Sequence, residues 1–444
     1  MSFPRYPAYK PSGVEWLGDV PEHWRMGQSR RRFRHRNEPA RDEDEQLTAS
    51  QKHGIIKQSE FIESEGRRVV EVIKGQDILK HVEPGDFVIS MRSFQGGLEY
   101  SKVRGSISSA YVMLAPVKQV IPEFFSWLFK SSPYIQALQS TTNLVRDGQA
   151  LRFSNFCQVE IPIIPANEQL EIATFLDRET AKIDALIAEQ QRLIELLQEK
   201  RQGVISHAVT KGLNPDAPMK DSGVEWLGEV PERWEVIEAR REIAFLTSGS
   251  RGWADYYSDS GSLFIRIGNL TRDSIDLDLS DIQRVDPPDG SEGERTLVSP
   301  GDILFSITAY LGSVAVVPKG GERACVSQHV CLVRLKEKRL LPKWLGYFVL
   351  STAGKSFLEA TSYGGTKVQL SLDDIKSFPL AVPTAREQAE IIDYVEGAIQ
   401  HLKGLVSEAK NSISLLQERR SALISAAVTG QIDVRGLVPE AEAA

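Results

Sequence analysis

Cysteine is scarce in this 444-residue chain: there are three, Cys157, Cys325 and Cys331, each in an apolar stretch. An odd number without metal-ligand spacing excludes a disulfide framework and a cysteine-built zinc site, and points to small buried side chains. No apolar run approaches the roughly eighteen residues of a membrane-spanning helix. The start, MSFPRYPAYK, lacks the hydrophobic stretch of a secretory signal, so a cytoplasmic protein with no membrane partner is expected. The seven histidines are scattered without ligand spacing, and no Ser/His/Asp arrangement can be nominated. Basic excess is also missing. A net charge of −7 argues against an indiscriminate nucleic-acid coat, whose affinity rests on many phosphate contacts. It does not exclude a specific reader, because charge can be segregated: RMGQSRRRFRHR, from Arg25 to Arg36, holds six arginines and no acid, and Asp42 to Glu45 follow at once.

What is present is a repeat of the whole chain. SGVEWLGDVPEHW at Ser12 returns as SGVEWLGEVPERW at Ser222. PGDFVISMRSFQGG from Pro84 is echoed by PGDILFSITAYLGS from Pro300, and GQALRFSNFCQVEIPIIP from Gly148 by GTKVQLSLDDIKSFPLAVP from Gly365. EQLEIATFLDRE…ISHAVT, from Glu168 to Thr210, aligns without a gap on EQAEIIDYVEGA…ISAAVT, from Glu387 to Thr429. Six of the seven tryptophans fall into matched pairs. Each copy has a leading segment, a body of about 140 residues and a long terminal helix, with an approximate twofold axis between copies. The bodies have diverged, while the leading segments and last stretches stayed alike.

In both terminal stretches apolar residues recur at three, four and seven, the stripe of one helical face. Leu176, Ile183, Leu186, Leu193, Leu197 and Val204 of the first, and Val395, Leu402, Leu405, Leu416 and Leu423 of the second, are the expected interface of a helix pair. Gln190 and Glu179 interrupt it. About forty residues give a rod of roughly 60 Å, too long to pack on one small body alone, and the pseudo-twofold axis makes the pair antiparallel. Asn167 and the Thr384/Glu387 capping box are expected to start these helices, Gly212 and Gly430 to stop them. The bodies alternate strand-like runs such as GDFVISM with short helices, so the fold class is α+β: two pseudo-twofold-related mixed α/β bodies joined by two long helices pairing as an antiparallel coiled coil. The expected divisions are 1–166 for the first body, 167–212 for the first long helix, 213–383 for the second body, 384–432 for the second long helix and 433–444 for a tail.

Catalytic signals are near misses. VDPPDG, Val285 to Gly290, has Asp289 where an amino-methyltransferase motif needs an aromatic residue to stack on a flipped base, and reads as a proline turn. AGKS, Ala353 to Ser356, ends like a phosphate loop, but Val349 stands at its first glycine position inside an apolar helix. No active site is expected. A non-catalytic frame presenting two different surfaces suits DNA, each body reading one half of a split, asymmetric target with the rod setting the spacing. Arg92, Ser93 and Gln95 run from a strand into a glycine turn, and Arg146, Gln149 and Arg152 surround a second turn; all could reach base edges. Their counterparts in the second body are Thr308, Tyr310 and Ser313, then Tyr363, Lys367 and Gln369. Arg30, Arg31, Arg32 and Arg34 are expected on phosphate, or else as a solvated strand edge. In SGSRGWADYY, Arg251 is a further DNA candidate, and Trp253 either stacks on a nucleotide or fills the core.

The paired SGVEWLG…VP…W segments, the glycine-glutamine turn before PIIPANEQ and the twin helices ending ISHAVT and ISAAVT resemble the specificity subunit of type I restriction-modification systems. The resemblance covers nearly the whole chain, twice and in order. It implies two target-recognition domains, double-stranded DNA as ligand, two methyltransferase subunits and further restriction/translocase subunits as partners, and no catalysis in this chain. S-adenosylmethionine, ATP and Mg would be held by those partners. The competing reading is a coiled-coil scaffold that joins proteins without nucleic acid.

Overall fold

The structure is a computed structural model that describes residues 3–66, 78–117, 119–142, 150–287, 290–336, 339–362 and 369–437. Two compact units account for the chain: Met1–Gln190 with Asn411–Ala444, and Gln191–Lys410. Two long helices, Ala166–Lys211 of 46 residues and Ala385–Val428 of 44, each begin in one unit and end in the other. Each unit therefore holds the front of one helix against the rear of the other, which makes the pair antiparallel.

Unit 1 is built on a four-stranded antiparallel sheet in the order Phe33–Arg36, Val112–Pro116, Phe87–Ile89, Glu99–Tyr100. Unit 2 repeats that order with Ile243–Ser248, Val330–Leu335, Ile303–Ser306 and Val314–Val316. In both, a strand after the leading segment pairs with the strand that precedes the long helix: Arg25–Gln28 with Glu160–Ile163, and Glu235–Glu238 with Pro379–Val382. The additions differ. Unit 1 inserts a hairpin, Leu47–Ser50 with Gly54–Lys57, whereas unit 2 inserts a second sheet in which Ser262–Ile265 runs parallel to Ala324–Val326.

The repeated Pro-Gly-Asp stretch buries a carboxylate in each sheet. Asp86 meets Arg36 at 2.8 Å and accepts the Glu83 backbone N–H, while Asp302 meets Arg334 at 2.7 Å and accepts that of Ser299. Burial pushes the Asp86 carboxyl up and the bond from Arg36 pulls it down. The arginine comes from the edge strand in unit 1 and from the central strand in unit 2. One anchoring role has thus been kept while its donor changed strands.

The leading segment locks onto the long helices. Trp24 Nε1 and Tyr6 Oη donate to Glu168 Oε1 at 2.9 and 2.8 Å, and His23 Nε2 lies 2.8 Å from its other oxygen. Burial, then the adjacent Glu168, push the Tyr6 hydroxyl far above its ordinary range, so it stays a donor. In unit 2, Trp234 Nε1 donates to Glu387 Oε1 at 3.1 Å and Arg233 joins it at 2.8 Å. The same indoles close on the stop of the other helix: Gly430 (φ +74°) and Gly212 (φ +77°) face Trp24 and Trp234, where a Cβ would come within 3.0 and 3.3 Å of the rings. These two glycines stop the helices, as expected from their positions. The starts differ from expectation. The first helix begins at Ala166, leaving Asn167 inside it, and Thr384 caps the second while Glu387, bound to Trp234, does not complete the box.

The helix seam needs correction at two positions. Leu176, Ile183 and Leu197 are buried and Val204 is half-buried, but Leu186 and Leu193 are 52% and 41% exposed. Adjacent apolar pairs, Leu186-Ile187 and Leu193-Ile194, let heptad spacing admit two stripes about 100° apart. The buried one runs through Ile187 and Ile194. On the second helix Val395, Leu402 and Leu423 are buried, and Leu405 and Leu416 half-buried.

Glu168 is 3% exposed and Glu387 17% exposed. Glu168→Ala strands three donors, two of them buried, and is expected to cost roughly 1–3 kcal/mol, with Glu387→Ala costing less. Urea unfolding followed by tryptophan fluorescence checks the order; an equal or reversed order contradicts it.

Candidate nucleic-acid interface

In unit 2 three segments converge at one end of the central sheet. Beyond Ser306 the chain turns tightly: Tyr310 N donates to Thr308 O at 2.7 Å, Ser313 N to Tyr310 O at 3.1 Å, and Ser306 N to Ser313 O at 3.0 Å. Ala309 sits at φ +59°, a conformation that costs a non-glycine residue energy and needs such a bonded surround. The turn leaves Tyr310 59% exposed. Ile307 accepts from Leu370 N at 3.0 Å and donates to His329 O at 3.1 Å, and Thr308 bridges Gln369. Thr308, Tyr310, Gln369 and the 327–330 turn thereby form one edge of hydroxyl, phenol, amide and imidazole groups. Gln328 and His329, 2.9 Å apart, belong to it and were not anticipated; they follow a serine turn whose role the sequence did not mark.

Two candidates of this unit are structural: Ser313 against expectation, and Trp253 by the second of the readings open to it. Ser313 is 1% exposed, held inward by the turn's own bonds. Trp253 is 3% exposed and stacked on Phe264 with centroids 5.8 Å apart, so it fills the core. It forms the wall of a small pocket rimmed by Arg266, Gln328 and His329, and Arg251 beside it is exposed. Tyr363 and Lys367 lie outside the described residues.

Unit 1 offers the equivalent turn with different chemistry. Arg92 and Gln95 are exposed, as is Met91 at 64%. Ser93 is 1% exposed, and its hydroxyl accepts the Ser90 backbone N–H at 2.9 Å, so it braces the turn and cannot reach a ligand. Gln139 Nε2 donates to Phe94 O at 2.6 Å and ties the turn to helix Ser132–Ser140. Arg152 is exposed at the start of helix Phe153–Gln158, where Asn155 Oδ1 accepts its backbone N–H at 2.9 Å. Arg146 and Gln149 lie outside the described residues.

The arginine run stands toward the other end of this sheet. Arg34 pairs with Ala115 and Arg36 with Met113, whereas the Arg92–Gln95 turn follows Ile89, opposite Val112. Arg30 and Arg31 occupy a short 3-10 turn, Ser29–Arg31, which Ser29 Oγ ties to Val159 O. Arg30 Nε meets Gln28 at 3.0 Å and Arg32 meets Gln119 at 3.4 Å, both neutral partners. His35 stacks on Phe153 at 5.3 Å, next to Arg152; burial, then Lys80, lower its proton affinity.

Among the described residues no group of three or more His, Cys, Asp or Glu side chains could hold a metal. Cys325 and Cys331 are buried, and burial pushes both thiols up, away from nucleophilic use. AGKS lies in helix Thr352–Thr361, with Lys355 Nζ donating to Gln202 at 2.8 Å, so it is no phosphate loop. Among the described residues no helix is long and apolar enough to cross a membrane.

Comparison with known proteins agrees with this organisation. The type I restriction modification DNA specificity domain matches residues 292–413. The type I restriction enzyme EcoKI specificity subunit of Escherichia coli K12 is 24% identical over 377 residues, covering 79% of this chain and 75% of the relative. The StySPI specificity subunit of Salmonella potsdam is 22% identical over 376 residues, covering 81% and 75%. Among solved structures, a chain of a type I R-M system assembly superposes with TM-score 0.63 at 15% identity, over 92% of this chain and 98% of that one. The HsdS subunit from Thermoanaerobacter tengcongensis does so with TM-score 0.52 at 14% identity, over 93% and 98%. In sequence, and in a fold with a repeated frame and antiparallel long helices, the chain is similar to type I restriction-modification specificity subunits.

Proposed function

We propose that this chain is a non-catalytic, cytoplasmic DNA-reading subunit that recognises a bipartite, asymmetric target and brings methyltransferase and restriction subunits to it. One observation carries the reading: the two units share sheet order, buried Asp–Arg anchor and Trp–Glu lock, yet present Arg92 and Gln95 in one turn against Thr308 and Tyr310 in the other. Identical frames with unlike edges suit two unlike half-sites. The wide donor and acceptor pattern of the major groove is what such side chains discriminate.

The long helices set the number of base pairs between the halves and also receive the protein partners. S-adenosylmethionine, ATP and Mg act on those partners in this reading, which asks no bond-making step of the present chain.

Arg92→Ala is expected to relax one half of the target and Gln369→Ala the other, each by about 1–3 kcal/mol at the base it contacts. Binding of the assembled methyltransferase complex to duplexes randomised in one half at a time reads this out; weakening spread evenly over all sequences would show phosphate contact instead. Removing four residues from each long helix at matched positions shortens it by about 6 Å. The preferred spacer then falls by one or two base pairs, at about 3.4 Å each, in methylation mapping. An unchanged spacer sinks the ruler.

A further inference from the structure

The arginine run of unit 1 has a structural twin in unit 2, and the two differ in charge. Strand Arg25–Gln28 and the 3-10 turn Ser29–Arg31 correspond to strand Glu235–Glu238 and the 3-10 turn Ala239–Arg241; each strand pairs with the one that precedes a long helix. Residues 25–36, RMGQSRRRFRHR, carry six arginines and no acid, a charge of +6 with neutral histidine. Residues 235–246, EVIEARREIAFL, carry two arginines and three glutamates, a charge of −1.

Pairing completes the contrast. In unit 2, Arg240 lies 2.5 Å from Glu238 and Arg241 3.3 Å from Glu235, while Glu242 is 3.2 Å from Arg339. Every arginine of the twin is answered by a carboxylate. In unit 1, Gln28 stands where Glu238 stands, Arg25 where Glu235 stands and Arg32 where Glu242 stands. Of the six, Arg36 has carboxylate partners, Asp86 and Glu38; the other five meet no carboxylate among the described residues. Helix Phe153–Gln158 packs on this turn and adds exposed Arg152 beside it.

We infer that this patch of unit 1 is the main phosphate grip among the described residues and that its twin in unit 2 has been neutralised. The inference rests on the DNA-reading function proposed above and adds to it that the salt dependence of binding belongs to one unit. Five guanidinium groups within ten residues, none meeting a carboxylate among the described residues, make a positive patch that suits a polyanion, and a run of charge with little geometric variety suits phosphates more than bases. Unit 2 then holds its half-site through the Thr308, Tyr310, Gln328, His329 and Gln369 edge, where salt acts little.

The test is the salt slope of duplex binding by the assembled methyltransferase complex. Each phosphate left without its guanidinium partner lowers the slope of log K against log salt by about 0.9, so Arg30→Gln/Arg31→Gln/Arg34→Gln is expected to lower it by about 2–3. The affinity gap between wild type and variant then narrows about fortyfold from roughly 50 to 200 mM salt. The Arg→Lys triple keeps the wild-type slope, which separates removal of charge from misfolding. Arg251→Gln/Lys319→Gln/Arg323→Gln in unit 2 lowers the slope by less than half as much. Equal effects of the two Gln triples, or a Gln triple that keeps the wild-type slope while losing its methyltransferase subunits, overturn the proposal; the second result would assign the patch to a protein partner. Slopes can be measured on target or scrambled duplex alike. If wild type fails to prefer the target, the reading of sequence fails, and the slopes still decide the grip.

Discussion

The bond on which the rest of the structure depends is the one between an indole N–H of the leading segment and a carboxylate in the first turn of a long helix: Trp24 with Glu168, Trp234 with Glu387. A carboxylate is favoured at a helix N-terminus by the dipole, but a buried one needs donors. The leading segment supplies them. The same indole rests on the glycine that ends the other helix, where any Cβ would crowd the ring. One tryptophan thus fixes the start of one helix and the stop of its partner, and the pairing of the helices follows from it.

Around that frame the two units solve the same problem with different residues. The Asp86–Arg36 and Asp302–Arg334 pairs do the same work from different strands, which shows how far the bodies can diverge while a buried carboxylate stays compensated. The inserted hairpin of unit 1 and the second sheet of unit 2 are attached to identical four-stranded cores. Divergence is tolerated where side chains face out at the turns. Against the helices the tryptophan, the carboxylate and the stopping glycine are the same in both units, while the neighbouring donor is His23 in one and Arg233 in the other.

Much of this was legible in the chain. The repeat, the two long helices, their glycine stops and the α+β bodies follow from spacing and periodicity, because those signals are local and recur twice. The leading tryptophans were legible as frame, since they repeat beside bodies that do not. What failed were statements about which way a single side chain points. Leu186 and Leu193 were misplaced because two apolar stripes one residue apart satisfy the same heptad count. Ser93 and Ser313 were expected at the reading edge but brace their turns, and of the two readings open for Trp253 its stacking on Phe264 selects the core. A turn residue's direction depends on the bonds its backbone makes, and these come from segments far away in sequence.

By itself, then, the sequence determined the architecture: two copies of one unit and the helices that run through them. Hydrophobic period and glycine position act within a few residues, so they can be read along the chain. Only the tertiary structure decided which polar groups share a surface. Thr308 meets Gln369, sixty-one positions further along the chain, through a bridge, and His329 joins them through the carbonyl that accepts the Ile307 N–H. The carboxylates beside Arg240 and Arg241 are their chain neighbours Glu238 and Glu235, and RMGQSRRRFRHR has none to offer Arg30 and Arg31; what the fold adds is that no distant carboxylate reaches those two among the described residues. A charge count measures how many arginines there are; whether each remains free depends on what the folded chain sets beside it.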